Sequence, residues 1–343
     1  MVRLLLRKLL RVAASLLGVT LIVFLLMHAI PGSPWDNYSS AQTLSFGATS
    51  DTAFQRQLSR RFGLDLPLWR QFTRYVFGDV DEDGSFFCGA VCGNLGPSIQ
   101  RRGQSVLDVL FTPPEDKTLL ETRFGYTLRI VLFGSLFAIG LGVPLGIWSA
   151  TRPNSGLSRA LSIGLAGLVS IPNFVLGLLV ILALALWLKI TTVVPDWTKP
   201  GNWIAPVMVL GIVPMASIAR VTHASLVNIL NEDYVRTARA KGLSRFRVML
   251  VHVLRPALTP ILTFLGPTAM ELLAGSLIVE SLYGFPGFGR AYFDAVTQLD
   301  YPMILGLTLI YAAGIILTNL GVEIMCELID PRLRLAKPGG ASG

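Results

Sequence analysis

Residues Ile130–Ala150 read IVLFGSLFAIGLGVPLGIWSA, 21 residues without one charged side chain. At 1.5 Å per residue such a helix is about 30 Å long, the thickness of a bilayer's hydrocarbon core. It has no polar face to turn to water, so the stretch predicts a transmembrane helix. Five further apolar runs flank it: Val12–Ile30, Ala160–Leu188, Ile204–Ala219, Ala257–Val279 and Met303–Val322. Glu271 is the one formal charge inside the six, and His28 lies near the end of the first. The short Ile204–Ala219 run is expected to continue as helix past Arg220. Ile171-Pro172 predicts a kink or tilt in the long Ala160–Leu188 run.

Composition points the same way. Of 343 residues 52% are hydrophobic and only 15% charged, against about 25% charged in soluble domains. A disordered regulator, a collagen-like fibre and a cytosolic Rossmann or barrel enzyme are excluded. What remains is an all-α polytopic membrane protein of six transmembrane helices. The net charge of +8 says little about nucleic acid, because membrane proteins gather Lys and Arg on their cytoplasmic loops.

Those basic residues set the expected orientation. With the N-terminus inside, Arg3, Arg7, Lys8 and Arg11, the loop Arg152–Arg159, the stretch Arg220–Arg255 and the tail Arg332, Arg334 and Lys337 all face the cytoplasm. Short outer loops then hold only Lys189, Lys199 and Arg290. The first apolar run is longer than the 7–15 residues or so of a signal-peptide core. No small-x-small cleavage site precedes Pro31-Gly32, so it is read as a retained helix. The expected domains are therefore the N-terminus and first helix at 1–30 and an extracytoplasmic segment at 31–129. A membrane core follows at 130–328, with a cytoplasmic loop at 229–256, and then a tail at 329–343.

The 31–129 segment mixes aromatic residues, Asp/Gly turns and patches such as Val106–Leu110, which suggests a small folded element with helices around 54–62 and 68–77. Cys88 and Cys92 lie in it. A structural zinc site wants four ligands, and the segment offers no other Cys or His. A redox motif would be Cys-x-x-Cys. A short disulfide in an oxidising compartment fits best, with two free thiols as the bland alternative. Cys326, near the end of the sixth helix, reads as packing.

The cytoplasmic loop contains Glu232-Asp233-Tyr234-Val235-Arg236-Thr237-Ala238-Arg239-Ala240-Lys241-Gly242-Leu243-Ser244. Asn231 is a plausible N-cap, Glu232 and Asp233 suit a helix N-terminus, and Gly242 is a stop. The small residues Thr237, Ala238 and Ala240 leave a thin helix that another protein could approach closely. A partner-docking helix and a solvated basic loop both remain open on these grounds.

Here the chain becomes recognisable. Tyr234–Leu243 resembles the coupling motif of ABC importer permeases, and more narrowly that of the B-type permease of the dipeptide/oligopeptide/nickel family. Leu17–Thr20 through Ala29–Pro34, Phe62–Pro67, Ser170–Phe174, Glu280–Gly289, Asp300–Pro302 and Asp330–Arg334 resemble that family's other signatures in order. Where the broad importer motif has Glu-Ala-Ala, this chain has Arg236-Thr237-Ala238, as the peptide branch does. Stretches Val80–Cys92 and Thr112–Phe124 look inserted relative to a typical member.

The resemblance implies a type I importer permease fold forming half of a pathway for peptides. It implies a bacterial or archaeal cytoplasmic membrane, with both termini cytoplasmic. The implied partners are a second homologous permease (a heterodimer), two cytoplasmic ATPase subunits and an extracytoplasmic substrate-binding protein. The chain has no phosphate loop of its own, so ATP and magnesium are expected on the ATPases and no cofactor here. The expected ATPase-coupling residues are Glu232, Asp233, Tyr234, Arg236, Thr237, Ala238, Arg239, Ala240, Lys241 and Gly242, with Ala238 and Ala240 flanking a partner groove. Candidate pore-lining residues are Ser170, Pro172, Asn173, Phe174, Thr268, Glu271 and Ser276. A charge within the membrane is a functional suspect, and Glu271 could meet a peptide amine or pair with a neighbouring helix. Glu280, Tyr283, Phe285, Pro286, Gly287 and Gly289 form an outer loop, with Glu280 as its anchor. The histidines His28, His223 and His252 are scattered, so no catalytic or metal set is expected. Nickel complexes, oligosaccharides and a secondary transporter are the competing readings. Co-purification with an ATPase would separate the importer from the last.

Overall fold

The structure is a computed structural model that describes residues 2–30, 59–60, 62–80, 84–101, 104–115, 118–189 and 196–329. Most of the helix expected at 54–62, the Pro31–Pro34 exit and the Asp330–Arg334 motif lie outside the described residues, as do the side chain of Cys326 and the tail. Among the described residues, five helices are long and apolar enough to cross a membrane, or up to seven if each of two bent pairs makes one span. The expected six fall within that range. Contacts divide the chain into two compact units, Met1–Gly125 with Arg290–Gly314, and Tyr126–Gly289 with Ile315–Gly343.

The first unit begins with α1 (Val2–Ala29), whose apolar window is Leu10–Ala29. Helix α2 (Leu68–Phe77) follows Pro67, whose fixed φ suits a helix entrance. His28 Nδ1 meets the carbonyl of Phe24 at 2.8 Å and its Nε2 meets Gln71 Oε1 at 3.1 Å. The Gln71 amide donates to the carbonyls of Leu64 and Leu66. One side chain thus ties α2 to α1 and to the turn before it. A hairpin pairs β1 (Gly78–Val80) with β2 (Phe86–Cys88), antiparallel, with Val80 opposite Phe86. Cys88 is disulfide-bonded to Cys92, their Cα atoms 5.8 Å apart.

Helix α3 (Val106–Phe111) is capped reciprocally by Ser105 and Asp108 and buries Val106, Val109 and Leu110. Hydrogen bonds from Ser105 hold the Asp108 carboxyl below its ordinary range. Residues Ser98, Ile99 and Gln100 are held to the chain's C-terminal part by Asp300, which is buried. Its carboxylate accepts from the hydroxyl of Ser98, the backbone N–H groups of Ile99 and Gln100, and that of Met303.

The second unit is a helical bundle. Helix α4 (Arg123–Thr151) enters it from the first unit, and α5 (Gly156–Val169) follows with Ser155 as N-cap. The expected kink at Ile171-Pro172 is a sharp break. α5 and the following α6 (Asn173–Ile181), extended by a π-helical stretch to Trp187, bend by 105°. Pro172 cannot donate a helical hydrogen bond and biases Ile171 away from helical geometry. Helix α7 (Ile204–Leu230) does run past Arg220, with Pro214 inside it. Gly142 and Gly146 of α4 lie against the carbonyls of Met215 and Ala219 on α7, where a Cβ would overlap the neighbouring backbone. Small residues one turn apart allow that close crossing. Gly140 faces open space.

A short helix α8 (Asp233–Ala240) precedes a continuous helical stretch beginning at Arg245. It passes through a π-helical segment, Val248–Leu254, into α9 (Arg255–Tyr283). Part of the expected loop at 229–256 is thus helical. From Arg245 the chain is already helical, and Arg245–Gly266 forms one apolar window despite its basic residues. The chain closes with α10 (Phe288–Thr297) and α11 (Tyr301–Ile329).

Candidate functional site

The N-cap of helix α8 is Glu232, not Asn231. Glu232 has the extended backbone of an N-cap, whereas Asn231 ends α7 and donates its amide to the carbonyl of Val227. Asp233 lies in the first turn, where the helix dipole favours a negative charge. Gly242 ends the element with φ +76°, and a Cβ there would meet nothing within 4 Å. Its requirement is for the backbone conformation alone.

Two faces result. Val235 and Ala238, three residues apart, are buried against Leu226 of α7, Ala150 of α4, and Val248, Val253, Ala257 and Ile261. Glu232, Asp233, Tyr234, Arg236, Thr237, Arg239, Ala240 and Lys241 are exposed. Ala238, only 5% exposed, does not flank an open groove as the sequence suggested. Its methyl is small because the chain's own helices leave it little room, while Ala240 does face outward. Arg236 lies 3.8 Å from Asp233 across one turn, an exposed pair worth little. Partial desolvation, and secondarily the Glu232 charge, raise the Tyr234 hydroxyl above its ordinary pKa. The exposed rim continues through Arg245, Phe246 and Arg247, Phe246 being 77% exposed. A large ring so open in a basic turn belongs to the same surface. The sequence signal was a lone aromatic among Ser244, Arg245 and Arg247.

The Glu280–Gly289 stretch folds around one buried carboxylate. Glu280 is 0% exposed. It accepts from the hydroxyl of Thr127 at 2.8 Å and the backbone N–H of Gly289 at 2.6 Å. Thr127 Oγ1 in turn accepts from the N–H of Phe288. Gly284, with φ +63°, ends α9 and lets the N–H of Phe285 reach the carbonyl of Glu280. A Cβ at Gly287 would overlap both Glu280 Oε2 and Thr127 Oγ1. Pro286 leads into that crowded position. Phe285 is fully buried among Trp197, Trp203 and Tyr126, and the Arg129 guanidinium stacks on the last two at about 4.5 Å. Tyr283 donates to the carbonyl of Gly177 on α6. The stretch is thus a self-wrapped corner.

The residues suspected of lining a pathway lie on two elements, Ser170, Pro172, Asn173 and Phe174 at the α5–α6 break and Thr268, Glu271 and Ser276 on α9. Thr268 and Ser276 are buried and donate to carbonyls of their own helix, those of Phe264 and Leu273. Ser170 donates to the carbonyl of Ala166. Glu271, Pro172 and Phe174 are exposed, and the Asn173 amide lies near Gly275 of α9.

A sequence model of the binding-protein-dependent transport system inner membrane component matches residues 142–335, which include α8 and the Glu280 corner. The chain belongs to that family of inner-membrane transport components. The permease is 34% identical over 340 residues to the dipeptide transport system permease protein DppB of Bacillus subtilis (strain 168), covering 99% of this chain and 100% of that one. It is 32% identical to DppB of Escherichia coli (strain K12), covering 98% of this chain and 100% of that one. To the oligopeptide transport system permease protein OppB of Haemophilus influenzae it is 30% identical, covering 97% and 100%. The permease is therefore aligned end to end with its relatives, and its several apolar helices fit a multi-pass inner-membrane component.

Proposed function

We propose that this permease is a pore subunit of an ATP-driven peptide importer and forms half of the translocation pathway. The end-to-end likeness to peptide permeases carries the reading. Its partners are a second, homologous permease, two cytoplasmic ATPase subunits that bind ATP and magnesium, and an extracytoplasmic binding protein that delivers the peptide. Both termini are cytoplasmic and residues 31–129 lie outside.

In this reading α8 is a lever. Its exposed face, Tyr234, Arg236, Arg239, Ala240 and Lys241, meets the ATPase. Its buried residues, Val235 and Ala238, sit in the apolar cluster shared by α4, α7 and α9. Close-packed side chains transmit displacement with little give. Movement of the ATPase pair therefore shifts the bundle as a body between outward and inward access. No bond of the substrate is broken.

Reconstitution of the complete complex with radiolabelled dialanine tests this. ATP-dependent accumulation that needs the binding protein is expected. ATP-driven uptake of a nickel complex or an oligosaccharide, with no uptake of di- or oligopeptides, would overturn it.

A further inference from the structure

Helix α2 and the hairpin after it expose more large apolar surface than the rest of their unit explains. Trp69 is 70% exposed, Phe86 67%, and Leu68, Phe77 and Val80 about half. On α2 the inward arc is made by the buried Val76 and the half-buried Gln71, Phe72 and Tyr75. Phe72 packs edge-on against Phe24 of α1, and Gln71 is bonded to His28. On the opposite arc Trp69, Thr73 and Phe77 follow one another at helical spacing, with Arg70 and Arg74 beside them. Val80 and Phe86, directly opposite in the hairpin, add two more exposed apolar side chains. So many large exposed apolar side chains on one short segment mark an interaction site.

Its depth identifies the occupant. The apolar window of α1 is Leu10–Ala29, 20 residues, enough to fill a hydrocarbon core of about 30 Å. His28 therefore lies at the hydrocarbon boundary, and Gln71, 3.1 Å from it, fixes α2 at the same level. The exposed belt of Ile22, Leu25 and Leu26 on α1, with Ile30 just beyond it, leads up to that point. Trp and other aromatic rings interleaved with Arg are the composition that settles in the headgroup layer.

We propose that α2 and strands β1 and β2 lie in the bilayer interface at the end of α1, with Trp69, Phe77 and Phe86 in contact with lipid. The inference rests on α1 crossing the bilayer and is independent of what the permease carries.

Nitroxide labels at Trp69→Cys, Phe77→Cys and Phe86→Cys, in a Cys326→Ser chain within the complete complex, read it out. The complex is held in nanodiscs of phosphatidylethanolamine and phosphatidylglycerol. Thr73→Cys labels the same arc with every aromatic residue kept, which guards against misfolding of the others. Collision with oxygen is compared with collision with a water-soluble nickel chelate. Leu25→Cys on α1 serves as the lipid standard and Glu115→Cys as the aqueous one. The four labels are expected to favour oxygen, as Leu25→Cys does. Values at the Glu115→Cys level would overturn the proposal. So would labels that are aqueous alone and shielded only when the binding protein is added, which would give the face to a soluble partner.

Discussion

Glu280 shows how one side chain can order a turn of ten residues. Removing it strands a buried hydroxyl and a buried backbone N–H, each at a cost of about 1–3 kcal/mol. Glu280→Ala is expected to lower the thermal midpoint of the purified permease clearly. Glu280→Gln, which keeps one acceptor oxygen in place, should lose less, and equal midpoints for the two variants would refute the corner described above. Gly287→Ala should resemble Glu280→Ala, because its methyl would occupy the space of Glu280 Oε2. Cys88 and Cys92 give a second test at this scale. Protein isolated without reductant should be two hydrogens lighter than its reduced form, with the loss mapped to that pair, and alkylation of both thiols before reduction would contradict it.

At the scale of the element, α8 was half legible. Acidic residues before Tyr234 and a glycine after Lys241 announce a short helix, and the structure has one. Its buried stripe was hidden. Besides Ala150 and Leu226, the residues that cover Val235 and Ala238 come from a helical stretch studded with Arg245, Arg247, His252 and Arg255, which reads as loop when charge is taken as the mark of solvent. Small residues in α8 therefore looked like room for a partner, when Ala238 is filled in by its own chain. Ala238→Glu is expected to force a carboxylate into that apolar cluster and loosen α8, seen as protease cleavage near Gly242. Ala240→Glu and Arg239→Glu should leave cleavage unchanged and reduce ATPase binding and uptake. Uptake at the parent level in both exposed variants would make α8 an ordinary surface helix. Gly242→Val is expected to cost about 1–2 kcal/mol through its left-handed backbone, with Gly242→Asn losing less.

For the whole molecule, the apolar runs foretold a helical membrane protein, and hydropathy does that well because lipid leaves the backbone few alternatives. Ile171-Pro172 announced a kink in the 160–188 run but not its 105° sharpness, and nothing in the sequence foretold that Asp300 reaches back to Ser98. Pairings so far apart in sequence leave no local pattern. Reporter fusions after Asn37, Arg152, Lys199 and Ser244 are expected to read outside, inside, outside and inside, and a cytoplasmic signal at Asn37 would reverse the orientation. The Asp300 carboxylate sets a timetable as well. Its partners at 98–100 are made 200 to 202 residues ahead of it. At about 5–20 residues per second that is a wait of about 10–40 s on a translating ribosome. During biogenesis the Cys88–Cys92 loop can close at once from neighbouring residues. The Ser98–Gln100 backbone must instead stay hydrated, or be shielded by a chaperone, until the last helix emerges. A nascent chain stalled before Asp300 should then carry the disulfide yet remain open to protease near Arg101.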